Sequence, residues 1–268
     1  MNRLDRLFSN KKNDILSVFL TAGFPRIDST ADIIEELASQ GADMVEIGVP
    51  FSDPMADGTV IQHSSAVALK NGMNLSLLLE QAAEARKRVP DMPFVLMSYL
   101  NPLYHYGMER LLADCRDAGI DAIIIPDLPF SEYMREYRPL CKKYGIHMIM
   151  LITPETSIER IHLIDDNCSG FIYMVSAAST TGSRHSFTPE QTGYFRKIAD
   201  MGLKNPRLIG FGISNRSTYA DACTNSSGGI IGSMFIKCLE SAPSIREAVA
   251  ELMKRLGQEC DAKPTYRK

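Results

Sequence analysis

Apolar runs typical of buried β-strands alternate with helical apolar stripes along almost the whole chain. The runs predict eight strands, at 15–20, 44–49, 94–99, 122–125, 147–152, 171–175, 207–213 and 229–231. Stripes with a period of 3.6 residues predict helices at 28–37, 61–69, 77–89, 108–118, 132–144, 158–164 and 189–201. A last stripe predicts a closing helix at 245–256.

This order of elements predicts an α/β fold, a single (β/α)8 TIM barrel over residues 1–268. An open doubly wound sheet would more often carry a G-x-G-x-x-G turn after its first strand. The chain reads Ala22-Gly23-Phe24-Pro25 there, which favours the barrel. Leu4, Leu7 and Phe8 predict a short N-terminal helix that packs onto the barrel, and the polar tail at 258–268 is expected to be disordered.

Composition excludes several classes of function. The formal net charge is −3 and no basic run is present, which argues against nucleic-acid binding. No apolar run approaches the ~20 residues that span a membrane. Six scattered cysteines without a CxxC pair indicate reduced thiols and a cytoplasmic location. Five histidines show no metal-ligand spacing, so we predict no metal site.

A carboxylate interrupts the second apolar run. Glu46 stands between Val45 and Ile47 in a predicted strand whose two faces are both buried, where an unpaired charge is costly. Asp57 follows in a loop that can fold back over the end of this strand. The pair predicts an active site at the carboxyl end of the barrel. The alternatives are a buried Glu paired with a cation, and an Asp-Gly turn.

Glycines gather after the last three strands. They occur as Thr181-Gly182-Ser183, Gly210-Phe211-Gly212-Ile213-Ser214 and Gly232-Ser233. Many barrels bind phosphate with these loops and the N-terminus of a short helix, where backbone N–H groups reach the anion. The alternative is that each glycine only makes a turn. Three glycine segments at successive strand ends favour a phosphate site.

These residues resemble the signature of the tryptophan synthase alpha subunit family. The matching motifs follow one another from the first strand to the eighth: Phe19-Leu20-Thr21-Ala22-Gly23, Glu46-Ile47-Gly48-Val49-Pro50-Phe51-Ser52-Asp53-Pro54, Ala56-Asp57-Gly58, Ile61-Gln62, Tyr99, Asn101-Pro102, Pro126-Asp127-Leu128-Pro129, Gly210-Phe211-Gly212-Ile213-Ser214 and Gly232-Ser233. The resemblance implies a barrel that cleaves indole-3-glycerol phosphate to indole and glyceraldehyde 3-phosphate in tryptophan biosynthesis.

The resemblance also implies roles for individual residues. Glu46 matches the general acid/base, and Asp57 matches the carboxylate that holds the indole N–H. The positions that line the indole pocket in the family are Phe19, Tyr99, Ile124 and Tyr173. Those that hold the phosphate are Gly182, Phe211, Gly212, Gly232 and Ser233. Those that link two loops in a closed state are Asp127 and Thr181.

The same resemblance implies a partner, the tryptophan synthase beta subunit, in an alpha2beta2 assembly. The cofactor of that family, pyridoxal phosphate, would belong to the beta partner, and none is expected in this chain. The expected docking surface is formed by the loops at 50–58 and 101–106 of the catalytic face.

Three positions depart from the family pattern. Ala177 and Ser179 stand where the family often has Arg and Gly, and Thr59 stands where a Pro is usual. The changed loop after the sixth strand leaves two alternatives open: a catalytically weak subunit that mainly activates a beta partner, and a stand-alone indole-glycerol phosphate lyase. The presence of both Glu46 and Asp57 counts against a purely non-catalytic role.

Overall fold

Eight parallel strands close into a barrel in the computed structural model, which describes residues 1–176 and 186–258. Each strand pairs with the next along the chain, and the last pairs with the first. The strands are β1 (Ile15–Thr21), β2 (Met44–Gly48), β3 (Phe94–Met97), β4 (Ala122–Ile124), β5 (His147–Ile152), β6 (Ile172–Val175), β7 (Arg207–Gly210) and β8 (Gly228–Ile231). The predicted (β/α)8 barrel is confirmed.

Helices surround the barrel and close one of its ends. They are α1 (Arg3–Asn10), α2 (Thr30–Ser39), α3 (Thr59–Lys70), α4 (Leu75–Arg88), α5 (Leu100–Tyr106), α6 (Met108–Ala118), α7 (Phe130–Glu132), α8 (Arg138–Tyr144), α9 (Ile158–Asn167), α10 (Pro189–Ala199), α11 (Arg216–Asn225), α12 (Ser233–Ser241) and α13 (Ile245–Leu256). In the described part of the chain, none of these helices is long and apolar enough to cross a bilayer.

The predicted short N-terminal helix is confirmed as α1. It begins after Asn2, whose side chain accepts a hydrogen bond from the Leu4 N–H at 2.9 Å. Leu4 and Phe8 pack into the apolar interior of the barrel, where the Phe8 ring lies 5.9 Å from that of Phe171. Helix α1 therefore closes the amino end of the barrel and leaves the carboxyl end open for chemistry.

Several boundaries differ from the sequence prediction. The third and seventh strands end early, at Met97 and Gly210, and the seventh does so because Phe211 and Gly212 have φ of +66° and +76°. The helix predicted at 132–144 is divided by a π-helical turn over Tyr133–Tyr137. Pro139 follows closely and has no N–H to continue a regular α-helix.

Strand alternation separates two apolar layers. In β2, Met44 packs inside the barrel, while Val45 and Ile47 pack between the strands and the helices. Glu46 therefore shares the inner face with Met44. This placement sends a carboxyl group into the barrel interior.

Of the tail predicted to be disordered, only Gln258 lies within the described residues, and its N–H bonds to the Met253 carbonyl at 3.0 Å.

Candidate active site

Glu46 is buried inside the barrel with only 1% of its surface exposed. Its Oε1 accepts a hydrogen bond from the Ser17 hydroxyl of β1 at 3.1 Å. Its Oε2 has no hydrogen-bond partner in residues 1–176 and 186–258. Among the described residues, the contact to the Glu46 carboxyl comes from Ser17 and not from a cation, and the bond from Ser17 is the interaction that lowers the Glu46 pKa.

Burial changes the protonation of Glu46. Desolvation raises the pKa of this carboxyl from its ordinary 4.5 to about 8, and the hydrogen bond from Ser17 opposes part of the rise. The carboxyl is therefore mostly protonated at neutral pH, yet it can ionise without a large further cost. A group with a pKa near the working pH can both donate and accept a proton during one reaction.

Asp57 lies half-buried in the loop between β2 and α3. The Tyr99 hydroxyl, at the end of β3, accepts a hydrogen bond from the Ala56 N–H at 3.0 Å and donates one to the Asp57 carboxylate. The Gln62 side chain donates to the Asp57 carbonyl at 2.8 Å. Burial raises the pKa of Asp57, while the bond from Tyr99 opposes the rise. Tyr99, just after β3, thus holds the carboxyl group of Asp57, and Gln62 of α3 holds its backbone.

Tyr173, on the opposite wall of the barrel, interacts electrostatically with both carboxyl groups. Burial raises its pKa well above the ordinary 10, and the carboxyl groups of Glu46 and Asp57 raise it further. The three side chains are therefore within electrostatic reach of one another. Gly210 on β7 makes room for this arrangement, because a Cβ there would overlap the Tyr173 hydroxyl.

A narrow cleft of about 20 Å³ lies at the carboxyl ends of the first strands. The Phe19 ring forms one wall and lies against Gly48, where a Cβ would overlap it. Tyr99 and Asp57 also line the cleft, and Ile61 of α3 completes it. The lining is thus aromatic and aliphatic, with one carboxyl group at its edge.

The other two residues predicted for the indole pocket, Ile124 and Tyr173, lie in the barrel interior below this cleft. Ile124, at the end of β4, is fully buried in the same interior cluster as Tyr173. The Phe211 ring meets that of Tyr173 edge to face at 6.2 Å. The barrel therefore brings aromatic and aliphatic side chains from β1, β4, β6 and β7 round one interior space.

Glycines occupy the ends of β7 and β8. Gly212 adopts a positive φ, and Gly232 stands at the start of α12 with Ser233 exposed as its first residue. Phe211 also has positive φ, a conformation that costs roughly 1–2 kcal/mol for a residue with a Cβ. The Ser176 hydroxyl holds this turn by donating to the Phe211 carbonyl at 2.8 Å. Exposed backbone N–H groups at such positions favour an anion.

The two residues predicted to link mobile loops are not both described. Asp127 is exposed after β4, and its Oδ1 accepts a hydrogen bond from the Leu100 N–H at 2.8 Å, the first N–H of α5. Thr181, together with Gly182 and the departures at Ala177 and Ser179, lies outside the described residues. The Asp127 carboxylate therefore caps α5 in this structure.

Sequence reasoning missed Ser17 and Ile61 as site residues. Ser17 precedes Phe19 by two positions and so shares its inner face, and a hydroxyl inside an apolar run was the available signal. Ile61 was assigned to a helical stripe and to a family motif, but no role in the site was predicted for it. In the described part of the chain, no group of three or more His, Cys, Asp or Glu side chains could hold a metal ion.

Comparison with known proteins gives one consistent family. The family model described as tryptophan synthase alpha chain matches residues 6–263. The chain is 52% identical over 251 residues to the tryptophan synthase alpha chain of Phocaeicola vulgatus, covering 94% of this chain and 97% of that one. It is 52% identical over 258 residues to that of Parabacteroides distasonis, covering 96% and 100%.

Solved structures agree in fold and in family. Tryptophan synthase subunit alpha from Legionella pneumophila superposes with a TM-score of 0.87 at 30% identity, covering 97% of this chain and 99% of that one. A chain of the tryptophan synthase complex from Pyrococcus furiosus superposes with a TM-score of 0.81 at 32% identity, covering 91% and 98%.

Proposed function

The chain belongs to the family of tryptophan synthase alpha chains, lyases that cleave indole-3-glycerol phosphate to indole and glyceraldehyde 3-phosphate, and we propose which residues carry this reaction. The observation that carries the proposal is Glu46, a buried carboxyl group with a pKa of about 8 and one oxygen without a hydrogen-bond partner among the described residues. Asp57 lies at the same barrel mouth, within electrostatic reach of Tyr173 as Glu46 is.

Glu46 acts as the proton donor and then as the proton acceptor. Indole is a poor leaving group until its C3 carries a proton, which neutral Glu46 supplies. The substrate hydroxyl next to the scissile bond then returns a proton to the Glu46 carboxylate and becomes the aldehyde. The electrons of the broken carbon–carbon bond restore the aromatic indole ring. One carboxyl group with a pKa near neutrality suits both transfers.

Asp57 holds the indole N–H and stabilises the positive charge that develops on the ring nitrogen once C3 is protonated. A carboxylate fixed in a partly dry cleft does this with little reorganisation. The contacts from Tyr99 and Gln62 support this role because they hold Asp57 from two sides. Phe19, Tyr99, Ile124 and Tyr173 form the indole pocket around it.

The substrate phosphate binds at the glycine-bearing turns after the last strands. Gly212 and Gly232 offer backbone N–H groups, and α12 adds the positive end of its dipole next to Ser233. Phe211 and Gly182 complete the phosphate site in the proposal. Asp127 and Thr181 would link their two loops when the site closes, which requires Asp127 to exchange its bond to the Leu100 N–H.

We propose the tryptophan synthase beta subunit as the partner, in an alpha2beta2 assembly, with pyridoxal phosphate bound by that subunit. The chain matched from Pyrococcus furiosus belongs to a tryptophan synthase complex. Large apolar side chains support a docking face at 50–58 and 101–106, since Met55 is 83% exposed and Tyr104 68% exposed. The proposed location is the cytoplasm, where the scattered cysteines stay reduced.

Two substitutions test the catalytic roles. We expect Glu46→Gln to lower kcat by at least about 100-fold, because the side chain can no longer carry the proton. Asp57→Asn is expected to lower kcat by roughly 10-fold or more, because charge stabilisation at the ring nitrogen is lost. Indole release from indole-3-glycerol phosphate measures both, and circular dichroism checks the fold.

The matched control is Glu80→Gln, which removes a carboxylate from the exposed surface of α4. It is expected to leave kcat unchanged. If Glu46→Gln kept more than about a tenth of wild-type turnover, the acid/base role assigned to Glu46 would be wrong.

A further inference from the structure

Ser17 is a polar side chain in the wall of the barrel, buried with 0% of its surface exposed. It lies in β1 between the apolar residues Leu16 and Val18, on the inner face of the strand. A hydroxyl buried in this way costs free energy unless it has a hydrogen-bond partner. Its partner is Glu46, whose Oε1 lies 3.1 Å from the Ser17 Oγ.

The bond from Ser17 makes the two oxygens of Glu46 unequal. Oε1 is occupied by the hydroxyl donor, whereas Oε2 has no partner in the described parts of the chain. In a neutral carboxyl group the carbonyl oxygen is the stronger acceptor, so a hydrogen-bond donor favours the form in which the other oxygen carries the proton. The geometry therefore favours neutral Glu46 with its proton on Oε2.

We infer that Ser17 is a positioning residue that selects Oε2 of Glu46 as the proton-carrying oxygen and keeps it available to the substrate. The inference rests on the proposed role of Glu46 and adds a residue to it. Register holds the pair together, because β1 and β2 pair with Phe19 opposite Glu46 and so place Ser17 two residues below on the same face.

Both proton transfers then use the same oxygen. Oε2–H gives its proton to C3 of the indole ring, and the charge left on the carboxylate is stabilised by the Ser17 O–H bond to Oε1. As the carbon–carbon bond breaks, the substrate hydroxyl gives its proton to Oε2. Neutral Glu46 is regenerated with its proton in the starting position, and Ser17 neither gains nor loses a proton.

Among residues 1–176 and 186–258, the titratable groups Tyr173 and Asp57 share this interior with Glu46. Tyr173 approaches from β6, and Asp57 lies in the loop after β2 with its carboxylate bound by Tyr99. Tyr173 stays protonated at neutral pH because burial raises its pKa. The loss of Ser17 therefore removes a neutral donor to Oε1 without changing the charges around Glu46.

The experiment compares Ser17→Ala, which removes the hydroxyl, with Ser17→Thr, which keeps it. We expect Ser17→Ala to lower kcat roughly 10-fold, the effect of losing one hydrogen bond to an ionising group, with KM within about 2-fold of wild type. The alkaline fall of the pH profile is expected to move to higher pH, because the Glu46 carboxylate loses a stabilising donor. Ser17→Thr should return this midpoint toward the wild-type value.

Infrared spectroscopy provides a readout that does not depend on activity. The difference spectrum between wild type and Glu46→Gln identifies the C=O band of neutral Glu46. That band is expected at higher frequency in Ser17→Ala, because a carbonyl oxygen without a hydrogen bond has a stronger C=O bond. A band and a pH midpoint that both remain in place in Ser17→Ala would overturn the role of Ser17.

The matched control is Ser226→Ala, which removes another buried hydroxyl. Ser226 lies before β8, and its Oγ lies 2.9 and 2.8 Å from the Ala222 and Gly228 carbonyl oxygens, which share its one hydroxyl proton. It is expected to lower stability while leaving the pH midpoint and the infrared band unchanged. Full activity of Glu46→Gln would refute the proposed catalytic role of Glu46. That result is independent of the infrared band in Ser17→Ala, which tests only the role of Ser17.

Discussion

At the scale of single residues, the surroundings of Glu46 raise the pKa of its carboxyl group into the range that the proposed proton transfers need. The barrel wall encloses the side chain, so desolvation raises its pKa, and the hydrogen bond from the Ser17 hydroxyl lowers it by a smaller amount. The same burial that raises the pKa must also cost stability wherever the unfolded chain would ionise Glu46. The raised pKa on which the proposed role of Glu46 depends can therefore be measured in unfolding experiments as well as in kinetics.

The free energy of unfolding should record this cost. Glu46 stays protonated in the folded protein up to a pKa of about 8, whereas in the unfolded chain it ionises near 4.5. Between these values the unfolded state binds fewer protons, so stability falls as the pH rises. We expect Glu46→Gln to exceed wild type in unfolding free energy by about 3 kcal/mol at pH 7, with the difference vanishing near pH 4.

Urea unfolding across this pH range measures the difference. A difference between the two proteins that stays constant from pH 4 to pH 8 would show that the Glu46 carboxyl has an ordinary pKa in the folded protein. The raised pKa, and with it the argument for a neutral acid, would then fail.

Gly210 provides a second test at this scale. A Cβ at position 210 would overlap the Tyr173 hydroxyl, so Gly210→Ala must displace Tyr173 or strand β7. We expect a loss of about 1–3 kcal/mol in unfolding free energy and a fall in kcat of roughly 10-fold or more. Thermal unfolding and the indole-release assay measure the two effects.

The matched control for this substitution is Gly193→Ala in helix α10. No atom lies close enough to contact a Cβ there, and the position is helical. It is expected to raise stability by up to about 1 kcal/mol and to leave activity unchanged. Equal effects at both positions would show that the contact with Tyr173 is unimportant.

At the scale of elements, regular apolar periods made most strands and long helices predictable. The strand at 147–152 and the helices at 108–118 and 245–256 have the predicted bounds. Helices α5, α11 and α12 were missed, the first two for physical reasons that their sequences show. Pro102 in α5 reads as a loop signal, and α11, with the sequence RSTYADACTN, has too few apolar residues for a clear stripe.

Helix α5 allows a test of how much one capping side chain from another element contributes to stability. The Asp127 carboxylate accepts a hydrogen bond from the Leu100 N–H, one of the N–H groups without a partner inside a helix. We expect Asp127→Ala to lower the unfolding free energy by about 1 kcal/mol, and Asp127→Asn to keep most of it because its amide oxygen still accepts. Urea unfolding measures both variants.

The activity of the same variants separates capping from loop closure. If Asp127 only caps α5, kcat should follow stability and Asp127→Asn should resemble wild type. A fall in kcat for Asp127→Asn without a loss of stability would support the proposed link to Thr181.

At the scale of the whole molecule, the barrel has one closed end and one reactive end. Helix α1 fills the amino end, while the two carboxyl groups and the glycine-bearing turns gather at the other. Exposed Met55 lies in the loop after β2 and exposed Tyr104 in helix α5, both at this reactive end, so a docked partner would lie next to the active site. A partner there can control closure of the site and receive indole directly.

Adding a tryptophan synthase beta subunit tests this arrangement. We expect slow indole release by the purified chain alone and strong acceleration when the beta subunit is added. The physical reason is that docking orders the loop that carries Asp57. Addition of an unrelated protein at the same concentration is the control. Fast release by the chain alone would favour a stand-alone lyase, and no release in either case would favour a regulatory subunit.

The sequence by itself determined the alternation of elements, the barrel, and the presence of a carboxylate where both faces of a strand are buried. These features are local, because strand and helix periods and turn residues can be read from neighbouring positions. The motifs also identified the family before any contact was known. Glu46 and Asp57 were recognisable in this way because they lie within one short stretch of chain.

Only the tertiary structure decided what surrounds Glu46. Ser17 reaches it from 29 positions away, and Tyr173 and Gly210 meet on neighbouring strands β6 and β7 at the far side of the barrel. These contacts follow from strand register and from closure of the barrel, which no local period encodes. The pKa of about 8 arises from that closure, since desolvation comes from the whole wall.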